Sequence, residues 1–594
     1  MAPTPQLLGG VGSLVGLQFF SRALTFALNT ALARTLGPSW YAFANVQLQL
    51  ISSTALFLSK EGVRRACQRI YPGGSGAPLA FGMNLAWLTL PITAIAAAAV
   101  AAVAQLQQES EGRRDMMAAS DYSTCVWLIC VAALIEACAE PAWVYAQANW
   151  LLSQRVLAEG AALFLKAAIT AYLALEMRLG ALAFGYAQLM YAVAYAALLL
   201  LLLSRKIALR VLLPRRACAA EVKATGASLA GDPTATSHHS NQRADGGSAL
   251  TSSSSASYLP AAERSLALQL CVQAAQKYAL TEGERLVLVS YLPLDEQGVF
   301  ALVGSLGSLV ARLLLAPLEE AAFAHFSRSA AREREAEARD TACGGAVAEA
   351  ESSAEGGSAN GASARVASAS GGAAAGGLAE MLDEAHLLLR GVCLFGLLFV
   401  AFGPPYAWLL LRLLYGAAWS DHTDAPSLLG TYCLHVCAMS LNGVSEAYVG
   451  ATASQRELAY LSIASVGFTA VYLLSALAGL ASFGLHGLML ANVLNMALRT
   501  AGSVVVMRRQ ARNVTVPPRI LPQPLALAVV VVAAALTRVA ALWVGGQQAS
   551  AAAHAVHVLI GGMCLVGVLV CALRSEPGLA AAFASLRQKR GKQE

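Results

Sequence analysis

Long apolar stretches recur along this chain, and that single feature rules out most folds. Crossing the hydrocarbon core of a bilayer takes about 20 mostly apolar residues in a helix. Stretches of that kind lie near residues 7–33, 40–60, 78–106, 122–147, 156–176 and 179–204. After a polar interval they resume near 266–292, 297–327, 384–411, 428–450, 457–482 and 484–507, and two more follow near 521–544 and 551–573. Backbone polar groups in lipid must be satisfied within the segment, so these stretches must be helices. The sequence therefore predicts an all-α polytopic membrane protein with about fourteen transmembrane helices. Composition excludes the alternative of a soluble enzyme: 57% of the 594 residues are hydrophobic and 13% are charged. That charged share is about half the usual one and leaves too little polar surface for water.

The scarce charges fix an orientation. With fourteen spans, the even-numbered loops and both termini share one side of the membrane, and that side holds most of the Lys and Arg residues. The opposite side holds only Arg34, Arg113, Arg114, Arg178 and Arg412. The positive-inside rule then places both termini in the cytosol. The net charge of +6 follows this loop pattern and forms no basic face, so no nucleic-acid partner is expected. The stretch from Leu7 to about Ala33 is far longer than the core of a cleaved leader and reads as a first transmembrane helix.

Six, six and two spans suggest an N-terminal six-helix lobe (1–204), a C-terminal six-helix lobe (266–507) and two additional helices (508–574), with a basic cytosolic tail (575–594). Residues 205–265 read as a disordered cytosolic loop. Residues 329–382 read as a disordered insertion, because neither segment has the apolar content to fold alone. A faint internal repeat supports two lobes: Ala23-Leu24-Thr25 recurs as Ala279-Leu280-Thr281. Six spans separate the copies, so the halves are parallel and would enclose a central cavity.

Charges at bilayer depth cost about 2.5–3.5 kcal/mol each on insertion scales, so they mark a cavity or a buried partner. Arg22, Lys277, Arg285 and Arg312 lie on spans one, seven and eight, which would line the cleft between facing halves. Arginine's planar fork suits a phosphate, which makes these four a candidate headgroup site; internal pairing with nearby glutamates is the competing reading. Arg64 and Arg65, after the second span, would capture the headgroup, hold a cytosolic gate, or simply set topology. Glu140, Glu159, Lys166, Glu282, Glu446, Asn442 and Asn495 would form a supporting polar network. Glu159 and Lys166, seven apart on one helical face, could instead pair with each other. The 12 cysteines are scattered, and Cys433, His435 and Cys437 lack further ligands nearby. No metal, no cofactor and no catalytic residue is expected, and no phosphate-binding GxxxxGK[ST] loop occurs.

Specific motifs narrow the reading. Leu280-Thr281-Glu282-Gly283-Glu284-Arg285, Asp295-Glu296-Gln297-Gly298-Val299 and Leu306-Gly307-Ser308-Leu309-Val310-Ala311-Arg312-Leu313 resemble the RFT family of oligosaccharide translocation proteins. So do Arg22 with Leu24-Thr25-Phe26, Arg64-Arg65-Ala66-Cys67, Glu140-Pro141 with Trp143, Asn442-Gly443-Val444 with Glu446, and Asn492 and Asn495 before Arg499. The resemblance implies an endoplasmic reticulum protein of the multidrug/oligosaccharidyl-lipid/polysaccharide exporter superfamily, and no enzyme. It implies a dolichyl-pyrophosphate oligosaccharide lipid as partner, among membrane lipids, moved from the cytosolic to the luminal leaflet for N-glycosylation. The alternative is a non-transporting accessory protein that binds the same glycolipid.

Overall fold

The computed structural model describes residues 26–27, 30–31, 33–71, 77–106, 119–149, 151–216, 258, 261–323, 325–330, 332–333, 362–511, 521–544, 550–576 and 578. Among these residues there are helices and turns and no strand. The chain separates into two compact units, Met1–Gly298 and Val299–Glu594.

In the first unit a short helix, Pro38–Ala42, and a π-helical turn, Phe43–Gln47, lead into α1 (Leu48–Ile70). The helix runs ten residues past the expected end of the second span, so Lys60 and Arg64 lie inside the helix bundle instead of in a loop. The third expected span is two helices, α2 (Ala77–Trp87) and α3 (Thr89–Leu106), and the fourth is also two, α4 (Ala119–Cys138) and α5 (Glu140–Ala148). Proline explains both breaks: Pro91 and Pro141 lack the N–H that would continue the ladder, and each ring crowds the carbonyl four residues back. The carbonyl of Ala137, released by Pro141, accepts the Thr89 hydroxyl at 3.5 Å. α6 (Leu152–Ala171) runs on through a π-turn, Tyr172–Glu176, and α7 (Ala181–Ser204) follows.

α8 (Ala261–Tyr291), read from sequence as the opening helix of the second lobe, packs along α1 within the first unit. Gly62 permits this: a Cβ there would sit 2.5 Å from the Cα of Cys271. The Thr54 and Tyr278 hydroxyls share a hydrogen bond, and the Phe57 and Tyr278 rings lie 5.2 Å apart. α9 (Leu294–Val310) begins where the Ser39 hydroxyl donates to Asp295, then continues into a π-turn at Ala311–Leu315.

The second unit holds α10 (Ala362–Leu414), a short helix Ala417–Ser420, α11 (Ala425–Thr452), α12 (Gln455–Ala511), α13 (Pro524–Val544) and α14 (Ala551–Ser575). α10 corrects the reading of 329–382 as wholly unstructured, since its helix starts at Ala362. Alanine is the best helix former, and a helix already nucleated from 384 onward can extend backward through the alanines, against about 1 kcal/mol at each of Gly371, Gly372, Gly376 and Gly377. α12 contains the two expected spans 457–482 and 484–507, joined at Gly484, whose φ of 57° is left-handed.

Among the described residues nine helical stretches are long and apolar enough to cross a membrane, the one at Arg456–Ala511 being 56 residues long. Three further expected spans, 40–60, 266–292 and 428–450, are helical as α1, α8 and α11 but more polar. Those three carry Lys60 and Arg64, Lys277 and Arg285, and Asn442 and Glu446. Most of the first expected span, 7–33, lies outside the described residues.

Candidate functional site

A ladder of charge joins α1 to α4 and α5. Lys60 and Arg64 are four apart on one helix, and Glu136 and Glu140 are four apart across the break at Ala139, so each pair shares a face. The Lys60 ammonium lies 3.0 Å from Glu136 and 3.2 Å from Glu140. Arg64 grips Glu140 with two hydrogen bonds, Nε to Oε2 at 2.8 Å and Nη2 to Oε1 at 2.6 Å. Numbering rises together on both sides of this ladder, so α1 runs parallel to the α4–α5 segment there.

Glu140 is 1% exposed, so its charge depends on these partners. Pro141 places it at the first turn of α5, where the helix dipole also favours a carboxylate. Gln188 on α7 donates to the second oxygen of Glu136 at 3.1 Å. The Arg64 guanidinium stacks over Trp143 at 3.9 Å, and Arg155 approaches the same ring at 4.7 Å while also donating to Gln147. An apolar cluster of Val63, Cys67, Tyr71, Met83, Trp143, Tyr195 and Leu199 surrounds the ladder and keeps its dielectric low.

Of the four candidate headgroup cations, Arg22 lies outside the described residues, as does the Lys277 side chain. Arg285 is partly exposed and bound through Nη1 to both oxygens of Glu282, at 2.9 and 2.7 Å, which is the internal pairing weighed against a phosphate role. Arg312 is exposed and folds back on its own helix, its Nε donating to the Ser308 carbonyl at 3.1 Å. It has no acidic partner among the described residues. The Arg65 side chain is not described; Arg64, read as gate, capture or topology charge, is engaged by Glu140 and Trp143.

The supporting residues fall into separate groups. Glu140 belongs to the ladder. Glu159 and Lys166 form no ion pair with each other; Lys166 lies 5.8 Å from the Tyr191 ring, and neither has an ion-pair partner among the described residues. Glu282 serves Arg285. In the second unit, Glu446 is held in a two-pronged pair by Arg499, at 2.8 and 3.1 Å. Asn442 is buried with an Oδ1 that has no hydrogen-bond partner, and Asn495 is half-buried.

Lys60 and Glu136 are members of this ladder that the sequence reading left out of the candidate site. The signal was present: two cations and two carboxylates, each four apart, on spans of the same direction. No group of three or more potential metal ligands occurs among the described residues.

The Rft protein family model matches residues 6–585. Two similar proteins, from Xenopus tropicalis and Mus musculus, are 28% and 29% identical, each match covering 95% of this chain and 93% of the relative. Another, from Dictyostelium discoideum, is 31% identical over 83% of this chain and 84% of its own. All three are named Man(5)GlcNAc(2)-PP-dolichol translocation protein RFT1. Among solved structures, the lipid II flippase MurJ in an inward closed conformation matches with a TM-score of 0.53 at 10% identity, over 93% of this chain and 97% of that one, which shows the fold. The chain belongs to the Rft protein family.

Proposed function

We propose that this multi-pass protein carries a dolichyl-pyrophosphate-linked mannose oligosaccharide from the cytosolic to the luminal leaflet of the endoplasmic reticulum membrane, with both termini in the cytosol. The observation that carries the reading is a helical arginine that no carboxylate matches. Lys60 and Arg64 are matched by Glu136 and Glu140, whereas Arg312 has no carboxylate at ion-pair distance among the described residues. An unmatched cation at membrane depth is costly, and an anionic headgroup is a chemistry that offsets it. The name carried by the relatives agrees with this substrate class.

In this mechanism two lobes, 1–204 and 266–507, alternate access to a cavity in which Arg22, Lys277, Arg285 and Arg312 hold the pyrophosphate. The guanidinium forks take its oxygens pairwise. Arg285 would exchange Glu282 for phosphate, and Arg312 would release Ser308. The helices of 508–574 offer the polyprenyl tail an apolar face, and Glu446, Asn442 and Asn495 support the cavity. The reaction makes and breaks no covalent bond, so the role is transport and not catalysis.

The test is replacement in cells depleted of their own protein. A chain with all four cations neutralised should leave the glycolipid exposed on the cytosolic face of isolated microsomes, where the unaltered chain restores luminal delivery. Normal delivery by the neutralised chain would overturn the cationic mechanism. Normal delivery in depleted microsomes, with glycosylation still defective, would establish the accessory role.

A further inference from the structure

The first unit contains a cavity of about 230 Å³ between the start of α1, α4, α6 and α7. Its polar lining is Asn45, Gln49, Ser52, Lys166, Thr170 and Gln188, and the Phe184 ring supplies an apolar wall. Pockets for drug-sized ligands run about 300–1,000 Å³, so this one suits a single ring.

The hydrogen-bonding inventory says what kind of ring. Asn45 spends one of its two amide N–H groups on the Tyr41 carbonyl at 3.2 Å, and Gln188 spends one of its two on Glu136 at 3.1 Å. The Thr170 hydroxyl donates to the Lys166 carbonyl at 2.8 Å. What remains is an amide oxygen and one N–H each from Asn45 and Gln188, the Thr170 oxygen as acceptor, the Lys166 ammonium as donor, and Ser52 and Gln49 able to do either. A phosphate offers only acceptors and would meet three acceptor oxygens, with the Glu136 carboxylate behind one of them. A neutral polyhydroxylated ring both gives and takes, and its C–H face can lie on Phe184.

We infer that this cavity seats one sugar residue, with the Lys166 ammonium donating to a sugar hydroxyl. The inference rests on the glycolipid reading above and adds a second point of recognition, for the oligosaccharide, separate from the cations assigned to the pyrophosphate. It also gives Lys166 a role that needs no carboxylate.

The experiment measures binding to the purified full chain of three probes: free Man(5)GlcNAc(2) oligosaccharide, a short-chain polyprenyl pyrophosphate without sugar, and the intact glycolipid. Lys166→Met should weaken the free oligosaccharide roughly tenfold or more, as expected for losing a charge-assisted hydrogen bond. It should leave the sugarless pyrophosphate unchanged. Ala167→Leu, which fills the same cavity without altering a charge, should weaken the oligosaccharide alike and guards against misfolding of the lysine variant. Unchanged oligosaccharide affinity in both variants, with the intact glycolipid still bound, overturns the sugar site and leaves the glycolipid reading standing. A loss confined to the sugarless pyrophosphate also overturns it, by making the cavity a phosphate site. If the unaltered chain binds none of the three probes, the glycolipid reading itself falls, and the inference with it.

Discussion

Glu140→Gln is the most informative single perturbation of the charge ladder. The substitution keeps shape and one acceptor but removes a carboxylate that is 1% exposed and receives two hydrogen bonds from Arg64 and one contact from Lys60 at 3.2 Å. Lys60 keeps Glu136, at 3.0 Å. Arg64 has no other carboxylate at ion-pair distance among the described residues, and it is held against Trp143. Removing one partner of a buried pair typically costs about 3–5 kcal/mol, because the other charge stays behind. Arg64→Gln should cost less, since Lys60 still neutralises Glu140. Equilibrium unfolding of the two single variants and the double variant in mixed micelles measures the coupling, expected at about 1.5–3 kcal/mol. Strictly additive losses would refute the ladder as the unit that joins α1 to α4 and α5.

Other consequences can be checked separately. Gly62→Leu places a side chain where the backbone of Cys271 lies, so the α1–α8 contact should loosen, with about 1–3 kcal/mol lost and Cys271 gaining reactivity toward a thiol reagent. Trp143→Leu removes the ring under both Arg64 and Arg155; a loss of about 1–2 kcal/mol in the same unfolding assay is expected, and it should shrink when Arg64 is also replaced. Asp421 lies between α10 and α11, outside the spans. Partial burial works against its charge, but hydrogen bonds from Ser420 and Trp408 and the Arg412 guanidinium outweigh that and hold the carboxyl below the usual carboxylate range. A lowered folded value means stability present above the unfolded value and lost as pH falls through the folded one. The stability gap between the unaltered chain and Asp421→Asn should therefore be full at neutral pH and close below about pH 4.

Much of the fold was legible because the bilayer imposes a length and an apolar composition on each helix. Pro91 and Pro141 mark the breaks at Leu88 and Ala139, and Gly484 marks the turn inside α12. What escaped was pairing between distant segments. α8 reads as the first helix of a second lobe, yet Gly62 and Tyr278 seat it on α1, and no local pattern encodes that contact. The charges show the same division. Lys60 and Arg64 look like topology-setting residues after a span, because only Glu136 and Glu140, more than seventy residues away, make them part of the bundle interior. The spacing of Lys166 from Glu159 suggested a pair that the helix does not form. The segment from Ala362 onward was misjudged from composition, since it is continuous with the helix that follows it.

The central claim is that this chain moves a glycolipid across a bilayer. It is tested most directly by reconstituting the purified full chain into sealed vesicles carrying labelled Man(5)GlcNAc(2)-PP-dolichol in both leaflets. A membrane-impermeant mannose-binding lectin added outside then reports which pool it can capture. The account predicts that the inner-leaflet pool becomes accessible in every vesicle that contains protein, and that the accessible fraction rises with the protein-to-vesicle ratio. An inner pool that stays protected at all ratios, in vesicles whose protein still binds the glycolipid, would contradict it.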